Sequence, residues 1–396
     1  MKFSINRLAF ISILNTVQRA IAQRTTIPIL TGLKIDVTRE GLWLTGSDAD
    51  LSIEAHLEVS DPSVQLLVEK TGAIVLPARF FIDFIKKLSG KMVSLSLEDD
   101  NKVSIVSDQA RVELFGIDAQ NYPHLPQINT EESIELSGAL FKQLVNQTIV
   151  SVSTQESRPI LTGVHFTITK QSVKAVATDA HRLSQRIVKL DESVSDTESN
   201  DSVNTLSEDD EDGYDVIVPS KSLVELIRTI EDDEDIRLMI SENQILFQTT
   251  HFNLYSRLLE GNYPDTDRLI PESSNSVITI NSNQLLQATD RASLMAHHED
   301  DNAVKLTIMD GNVELSSYAS EMGNVTEKLE CEAVTGENIT ITFNPDYLKA
   351  ALKTFDGSDI VLNFIASTRP FYMTPKSEDP IDKAQFIHLI TPIRTN

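Results

Sequence analysis

The chain has 396 residues, with 59 acidic and 34 basic side chains and a formal net charge of -25, a balance that by itself argues against a polyanionic partner. A single cysteine, Cys331, excludes an intramolecular disulfide and a CxxC metal site, and fits a reducing compartment. The N-terminus lacks a long apolar h-region and no apolar run reaches membrane-spanning length, so the expectation is a soluble cytoplasmic protein.

In chain order, Leu8, Ile11, Leu14, Val17 and Ile21 predict a helix over 7–21, with Asn6 placed to cap it. PILTG (28–32) then leads into LKIDV and LWLTG, two period-two segments that predict strands joined by a turn. A second helix follows at LPARFFIDFIKKL (76–88), then the alternating strands of MVSLSLEDDNKVSIVS, then NYPHLP (121–126). At that point the series begins again. IELSGALF (134–141) aligns on FSINRLAF (3–10), and PILTG returns at 159–163, 131 residues after its first occurrence. Residues 159–186 lie over 28–55 without a gap, placing Leu33 on Val164, Ile35 on Phe166, Val37 on Ile168 and Asp48-Ala49 on Asp179-Ala180. VPSKSLVELIRTI (218–230) repeats the second helix, and NYPDTDRLIP (262–271) repeats the close. A more divergent third copy reads ITINSNQLL (278–286), AVKLTIMDGNVELSS (303–317) and FNPDYLKAALKTF (343–355). Ser137 and Asn281 stand at the cap positions of the later copies. The fold class is therefore α+β, three repeats of one domain at 1–128, 129–272 and 273–396, each with two helices on antiparallel sheets. Short turns between consecutive strands disfavour parallel winding.

Residues 191–215 differ in kind. They carry eleven Asp or Glu, no Lys or Arg, and only four aliphatic or aromatic side chains, so they cannot bury enough surface to offset their ordering entropy. They read as a disordered acidic loop within the second repeat; SEDDEDGYD lacks the ligand spacing of an EF-hand. The remaining charge is uneven. The first 35 residues hold Lys2, Arg7, Arg19, Arg24 and Lys34 with no acid, and the second helices carry Arg79, Lys86, Lys87, Lys221, Arg228, Lys349 and Lys353. An acidic protein can thus present a basic face if these helices share one side.

Chemistry-bearing motifs are sparse. SDAD (47–50) pairs Asp48 with Asp50, and HHEDD (297–301) clusters His and acids, but neither shows a third ligand at metal spacing. There is no GxSxG, P-loop, GxGxxG or HExxH. The expectation is a protein that is not an enzyme, with no catalytic residues, no metal and no cofactor.

TIPILTG (26–32), ATDAHRLS (177–184), YPDTDRLIP (263–271), the opening MKF and the ending LITPIRTN together resemble the bacterial DNA polymerase III β subunit, the replicative sliding clamps. The resemblance spans the chain apart from the acidic loop. It implies three DNA-clamp domains in a head-to-tail homodimeric ring that encircles duplex DNA without reading sequence, a processivity factor for DNA replication. It implies DNA contacts at Arg24 and Gln155, to which helix charge adds Arg79, Lys86, Lys87, Lys221 and Arg228. It also implies a groove for short linear motifs of the polymerase III α subunit, the clamp loader and repair polymerases. The matching groove positions are Leu161, Thr178, His181, Arg182, Leu183, Pro264, Leu269, Asn344, Tyr347, Leu389, Pro392, Ile393 and Arg394. Val112 and Leu114 match one side of the dimer interface, Leu294 and Met295 the other. Ala180 stands where the family commonly has Gly, and Thr391 where a larger apolar residue is usual. Two alternatives stay open on sequence alone: a ring-shaped scaffold without DNA encirclement, and a metal-dependent hydrolase using Asp48, Asp50 or the 297–301 cluster.

Overall fold

Asn6 ends a strand and starts a helix: its side-chain Oδ1 accepts the N–H groups of Leu8 and Ala9 at 2.9 and 3.3 Å, satisfying two donors of the first turn. Residues 1–129, 133–190, 213–299, 301–377 and 385–394 are described in the computed structural model. The first repeat runs β1 (Lys2–Asn6), α1 (Arg7–Val17), β2 (Gly32–Val37), β3 (Gly41–Ser47), β4 (Leu51–Glu58), β5 (Leu67–Lys70), β6 (Gly72–Pro77), α2 (Ala78–Lys87), β7 (Met92–Leu97), β8 (Lys102–Ser107) and β9 (Ala110–Phe115). The second runs β10 (Ile134–Ser137), α3 (Gly138–Thr148), β11 (Gly163–Ile168), β12 (Ser172–Thr178), β13 (Arg182–Lys189), β14 (Tyr214–Pro219), α4 (Ser220–Ile227), β15 (Asp235–Ser241), β16 (Gln244–Gln248) and β17 (Phe252–Arg257). The third runs β18 (Ser276–Asn281), α5 (Ser282–Ala296), β19 (Val304–Met309), β20 (Asn312–Ala319), β21 (Gly323–Leu329), β22 (Ala333–Gly336) and β23 (Ile339–Phe343). It ends with α6 (Pro345–Lys353), β24 (Asp359–Phe364), β25 (Phe371–Pro375) and β26 (Phe386–Ile390).

Two details correct the sequence-based expectations. The helix predicted over 7–21 is α-helical only to Val17 and continues as a 3-10 turn over Gln18–Ala20, where the chain passes close to β3. A Cβ on Gly46 of β3 would lie 2.7 Å from the Val17 carbonyl oxygen, so this approach requires glycine. The acidic segment expected to be loop through 215 gives way to strand at Tyr214, because β14 completes an antiparallel ladder with β11. Residues 191–212 lie outside the described residues.

The strands do not close repeat by repeat. In one compact unit, containing residues 1–139 and 221–258, β4 of the first repeat pairs with β17 of the second, giving an eight-stranded sheet in the order β10-β15-β16-β17-β4-β3-β2-β6. A second sheet of that unit, β5-β1-β7-β8-β9, belongs to the first repeat alone. The other unit contains residues 140–190, 213–220 and 259–394. There β13 of the second repeat pairs with β26 of the third in a nine-stranded sheet, β14-β11-β12-β13-β26-β25-β24-β18-β22. Its four-stranded sheet, β21-β20-β19-β23, belongs to the third repeat alone. All these pairings are antiparallel, as the short turns require.

Each unit buries its core between helices and sheet faces. In the first, Phe10 of α1 meets Phe3 of β1 edge-on at 6.2 Å and Phe81 of α2 at 5.9 Å, all three fully buried. In the second, Leu285, Ala288, Ala292 and Ala296 of α5 and Leu348 and Leu352 of α6 pack on Ile278, Leu306, Leu315, Phe343 and Leu362. Alternation in the strands supplies the sheet side of both cores: β18 reads buried, half-buried, buried along its length.

The turns before β4 and β13 are built alike. Ala49 and Ala180 adopt φ of 84° and 76°, a region that costs a residue with a Cβ about 1–2 kcal/mol. Replacing Ala180 with Gly is expected to raise stability by about 0.5–1 kcal/mol, the relief of strain exceeding the extra unfolded-state entropy of glycine. Urea unfolding midpoints would show this, and a lower midpoint for the glycine variant would mean the alanine is unstrained.

Candidate functional site

In the second unit, antiparallel pairing sets Leu183 of β13 directly opposite Leu389 of β26. The two side chains pack with Val176, Tyr263 and Tyr372 in a small cluster separate from the main core of that unit. Leu161 lies nearly buried in the 3-10 turn made by the second PILT, and its carbonyl accepts the Ser153 N–H at 2.8 Å. Thr178 ends β12, where its N–H donates to the Tyr263 hydroxyl at 3.0 Å; burial pushes that phenol up to about 12, so it stays protonated at neutral pH.

Polar side chains stand beside this floor. Asp179 accepts the N–H groups of His181 and Arg182 at 2.9 and 3.0 Å and pairs with the Arg182 guanidinium at 2.9 Å. Arg182 in turn lies over the Tyr347 ring at 4.7 Å, and His181 stacks on the same ring at 6.3 Å. Tyr347 belongs to α6, whose N-cap Asn344 accepts the Asp346 N–H at 2.9 Å. The C-terminal segment is held by main-chain bonds, Thr391 N–H to the His181 carbonyl and Ile393 N–H to the Thr342 carbonyl, both at 2.8 Å. Pro392 is buried, Ile393 half-buried, and Arg394, Pro264 and Leu269 are exposed. Five distant stretches of sequence thus meet at one surface, with an aliphatic floor and a basic rim.

Beneath the floor lies a polar chain that sequence reasoning missed. His388 of β26 is fully buried; its Nδ1 meets the Ser184 hydroxyl at 2.6 Å and its Nε2 the Thr354 hydroxyl at 2.7 Å, and Ser184 also bonds Ser151. Phe355 and Phe386 flank the ring. Burial, with a smaller contribution from Arg182, pulls the imidazole down to about 3, so it is neutral in the folded chain. The only trace in sequence is a polar residue inside the apolar run FIHLI.

The expected basic positions separate into two groups. Arg24 and Arg79 line one cavity of about 980 Å³ beside α1 and α2, and Lys86 donates to Gln18 at 3.1 Å on the same elements. Arg24, Arg79, Lys86 and Lys87 are exposed. Lys221 and Arg228, by contrast, are engaged by Asp48 and Glu225, and Glu225 also pairs with Arg19 at 3.0 Å. Gln155, in the other unit, is exposed just after α3. The metal candidates do not assemble. Asp48 holds the N–H of Leu51 at 2.8 Å besides Lys221, Asp50 faces Arg257, and His297 pairs with Asp346. Asp300 lies outside the described residues, and among those described no three His, Cys, Asp or Glu side chains gather to hold an ion. Nor is any described helix long and apolar enough to cross a membrane.

Residues 1–126, 135–265 and 267–389 match, in that order, the N-terminal, central and C-terminal domains of the DNA polymerase III β subunit. The β sliding clamp of Streptococcus pneumoniae is 40% identical over 396 residues, spanning all of this chain and 99% of that one. Two crystal structures, of the S. pneumoniae DNA polymerase III β chain and the Bacillus subtilis sliding clamp, each have a TM-score of 0.91 at 40% and 38% identity and full coverage of both chains. The chain belongs to the DNA polymerase III β subunit family. Its function is that of a DNA sliding clamp, and sliding clamps are processivity factors, not catalysts. The hydrolase alternative therefore falls, in agreement with the expectation of no enzymatic activity.

Within a sliding clamp, His388 ties β13, β26 and the end of α6 together under the groove floor. Because the unfolded imidazole binds a proton near pH 6.5 and the folded one only near 3, its contribution to stability is complete above about pH 6.5 and is lost as the pH falls toward 3. At pH 5 this one group is expected to cost about 2 kcal/mol relative to pH 7.5. Comparing urea unfolding of the wild type and His388→Gln at the two pH values would isolate it. An unchanged pH dependence in the variant would locate the acid sensitivity elsewhere.

Proposed function

We propose that two chains close head to tail into a ring around duplex DNA, with repeats bounded near 128 and 272, and that the Leu183–Leu389 surface receives linear motifs of replication and repair proteins in the cytoplasm. The observation that carries the ring is a register. Across the sheets, Phe3, Leu95, Ile105 and Val112 stand in one row, as do Ile134, Leu238, Phe247 and Leu254, and Ile278, Leu362, Met373 and His388. In the companion half-sheets, Ile53, Ser184 and Val325 occupy equivalent places opposite Gly46, Ala177 and Ser317. At the first junction Leu254 faces Ile53, and at the second His388 faces Ser184, so both junctions use the same register.

One half-sheet of each kind is left over. Among the described residues β9 and β21 end their sheets without a neighbour on the outer side. Exposed strand edges are ready templates for pairing. The same register applied a third time sets Val112 of one chain opposite Val325 of its partner, with Leu114 on the same half-buried face as Val112. Leu294, 66% exposed, and Met295 lie on α5, which packs on β21, and receive the incoming strand. Two such contacts close a dimer.

Val112→Cys combined with Val325→Cys, in a Cys331→Ser background, is expected to form disulfide-linked dimers under mild oxidation, since directly opposed strand residues lie within disulfide reach. Cross-linked after loading onto a nicked circular plasmid, the dimer should persist in high salt and leave when the plasmid is linearised. Absence of the cross-link would overturn the register, and equal loss from circle and line would leave a scaffold without encirclement.

The two groups of basic residues support different contributions to DNA. Arg24 and Arg79, exposed around one cavity, are proposed to meet phosphates together with Gln155, Lys86 and Lys87; Lys221 and Arg228 are held by acids and contribute less. Each phosphate contact adds about 0.9 to the slope of log affinity against log salt. Arg24→Ala is therefore expected to lower that slope by about 1 and Lys221→Ala by a smaller amount. Equal changes in fluorescence-anisotropy titrations would mean that the ion pair with Asp48 does not withhold Lys221.

A further inference from the structure

Helix α2 carries an aromatic side chain that neither the core nor the expected phosphate contacts use. Phe80 is 55% exposed, while Phe81, Ile82 and Ile85 of the same helix are buried in the first unit. A lone exposed apolar residue is ordinary. This one lines the cavity of about 980 Å³ that Arg24 and Arg79 also line. Phe84, one turn on and half-buried, lies parallel to it, with ring centroids 6.3 Å apart and 9° between the planes. The Phe80 ring is thus steadied by a neighbour while staying open to solvent.

The charges around it are uncommitted. Among the described residues Arg24 and Arg79 pair with no acid, although Asp83 lines the same cavity and stands one turn from Arg79. Lys221 and Arg228, held by Asp48 and Glu225, show the contrasting case. Two free guanidinium groups against one carboxylate leave the cavity positive. An occupant that suits it has flat apolar faces joined by negative charges. Duplex DNA supplies the charges but keeps its base faces stacked inside. A peptide supplies both only through a particular sequence, whereas every nucleotide of a single strand carries a π-face and a phosphate.

We infer that Phe80 is a base-stacking platform for single-stranded DNA, with Arg24 and Arg79 on the flanking phosphates. A ring sliding on duplex reaches single strand wherever the duplex ends. The arginines hold the backbone on both sides of that point, and Phe80 engages only where bases are unpaired. The inference rests on reading this face as the one that meets DNA.

The test is fluorescence anisotropy at low salt on the full-length protein, with three labelled probes. They are an oligo(dT) of about 12 nucleotides, an abasic strand of the same length and a short duplex. Phe80→Ala should lower the ratio of oligo(dT) affinity to duplex affinity about tenfold, the scale of one lost base–aromatic stack. The abasic strand keeps the phosphates and should show no such loss. Phe80→Trp should restore the ratio. In a Trp43→Phe background, which removes the chain's other tryptophan, oligo(dT) should also quench its emission. An unchanged ratio in Phe80→Ala, an equal loss on the abasic strand, or no binding of oligo(dT) by the wild type would overturn the inference. Retention on a circular plasmid reports the ring separately. Retention with an unchanged ratio would overturn the stacking alone. A lowered ratio without retention would support the stacking and count against encirclement.

Discussion

An antiparallel sheet edge is a row of unmet donors and acceptors, and this chain meets that constraint by pairing one repeat with the next. β4 finds β17 and β13 finds β26, in the same register each time. The groove depends on the second seam. Its floor exists because Leu183 and Leu389 face each other there, whereas Tyr255 and Ser52 face each other across the first. Among the described residues β9 and β21 are the sheet-end strands that correspond to β17 and β4, one from each end of the series, so the proposed dimer needs no new kind of contact.

The seams also show how one scaffold supports different surfaces. Both turns use an Asp to hold the backbone and an alanine at positive φ, so their shapes are nearly identical. What differs is the side chains placed on that frame. At the first junction Asp48 engages Lys221; at the second Asp179 engages Arg182, which lies over Tyr347. Conserving the main-chain geometry while exchanging side chains changes rim charge and floor polarity without a structural penalty. Buried His388 is the exception, since its ring must remain neutral and keep both hydroxyl partners.

Net charge was a poor guide to the partner. A chain at -25 carries exposed arginines and lysines on α2 and on the segment after α1. Long-range charge affects approach, but contact with phosphate depends on which residues share a surface. Position in the helix was not enough to decide that either: Lys221 and Arg228 belong to the same series as Arg79 and Lys86, yet acids from elsewhere in the first unit, or one turn earlier, engage them.

Local sequence determined the repeat, the α+β class, the caps at Asn6 and Asn281, and most strands, because spacing and turn chemistry act over a few residues. It also carried the family resemblance, since five motifs in order survive as strings. Helix length at the first repeat was overestimated because Ile21 keeps helical spacing while the close approach to Gly46 ends the α-helix at Val17. Tertiary structure alone decided that the sheets run through the repeat boundaries, that Lys221 and Arg228 are paired, and that His388 is buried. The reason is physical: strand-edge pairing, ion pairing and burial join residues as far apart as Ser184 and His388, and their outcome depends on which surfaces meet, a quantity no local pattern encodes.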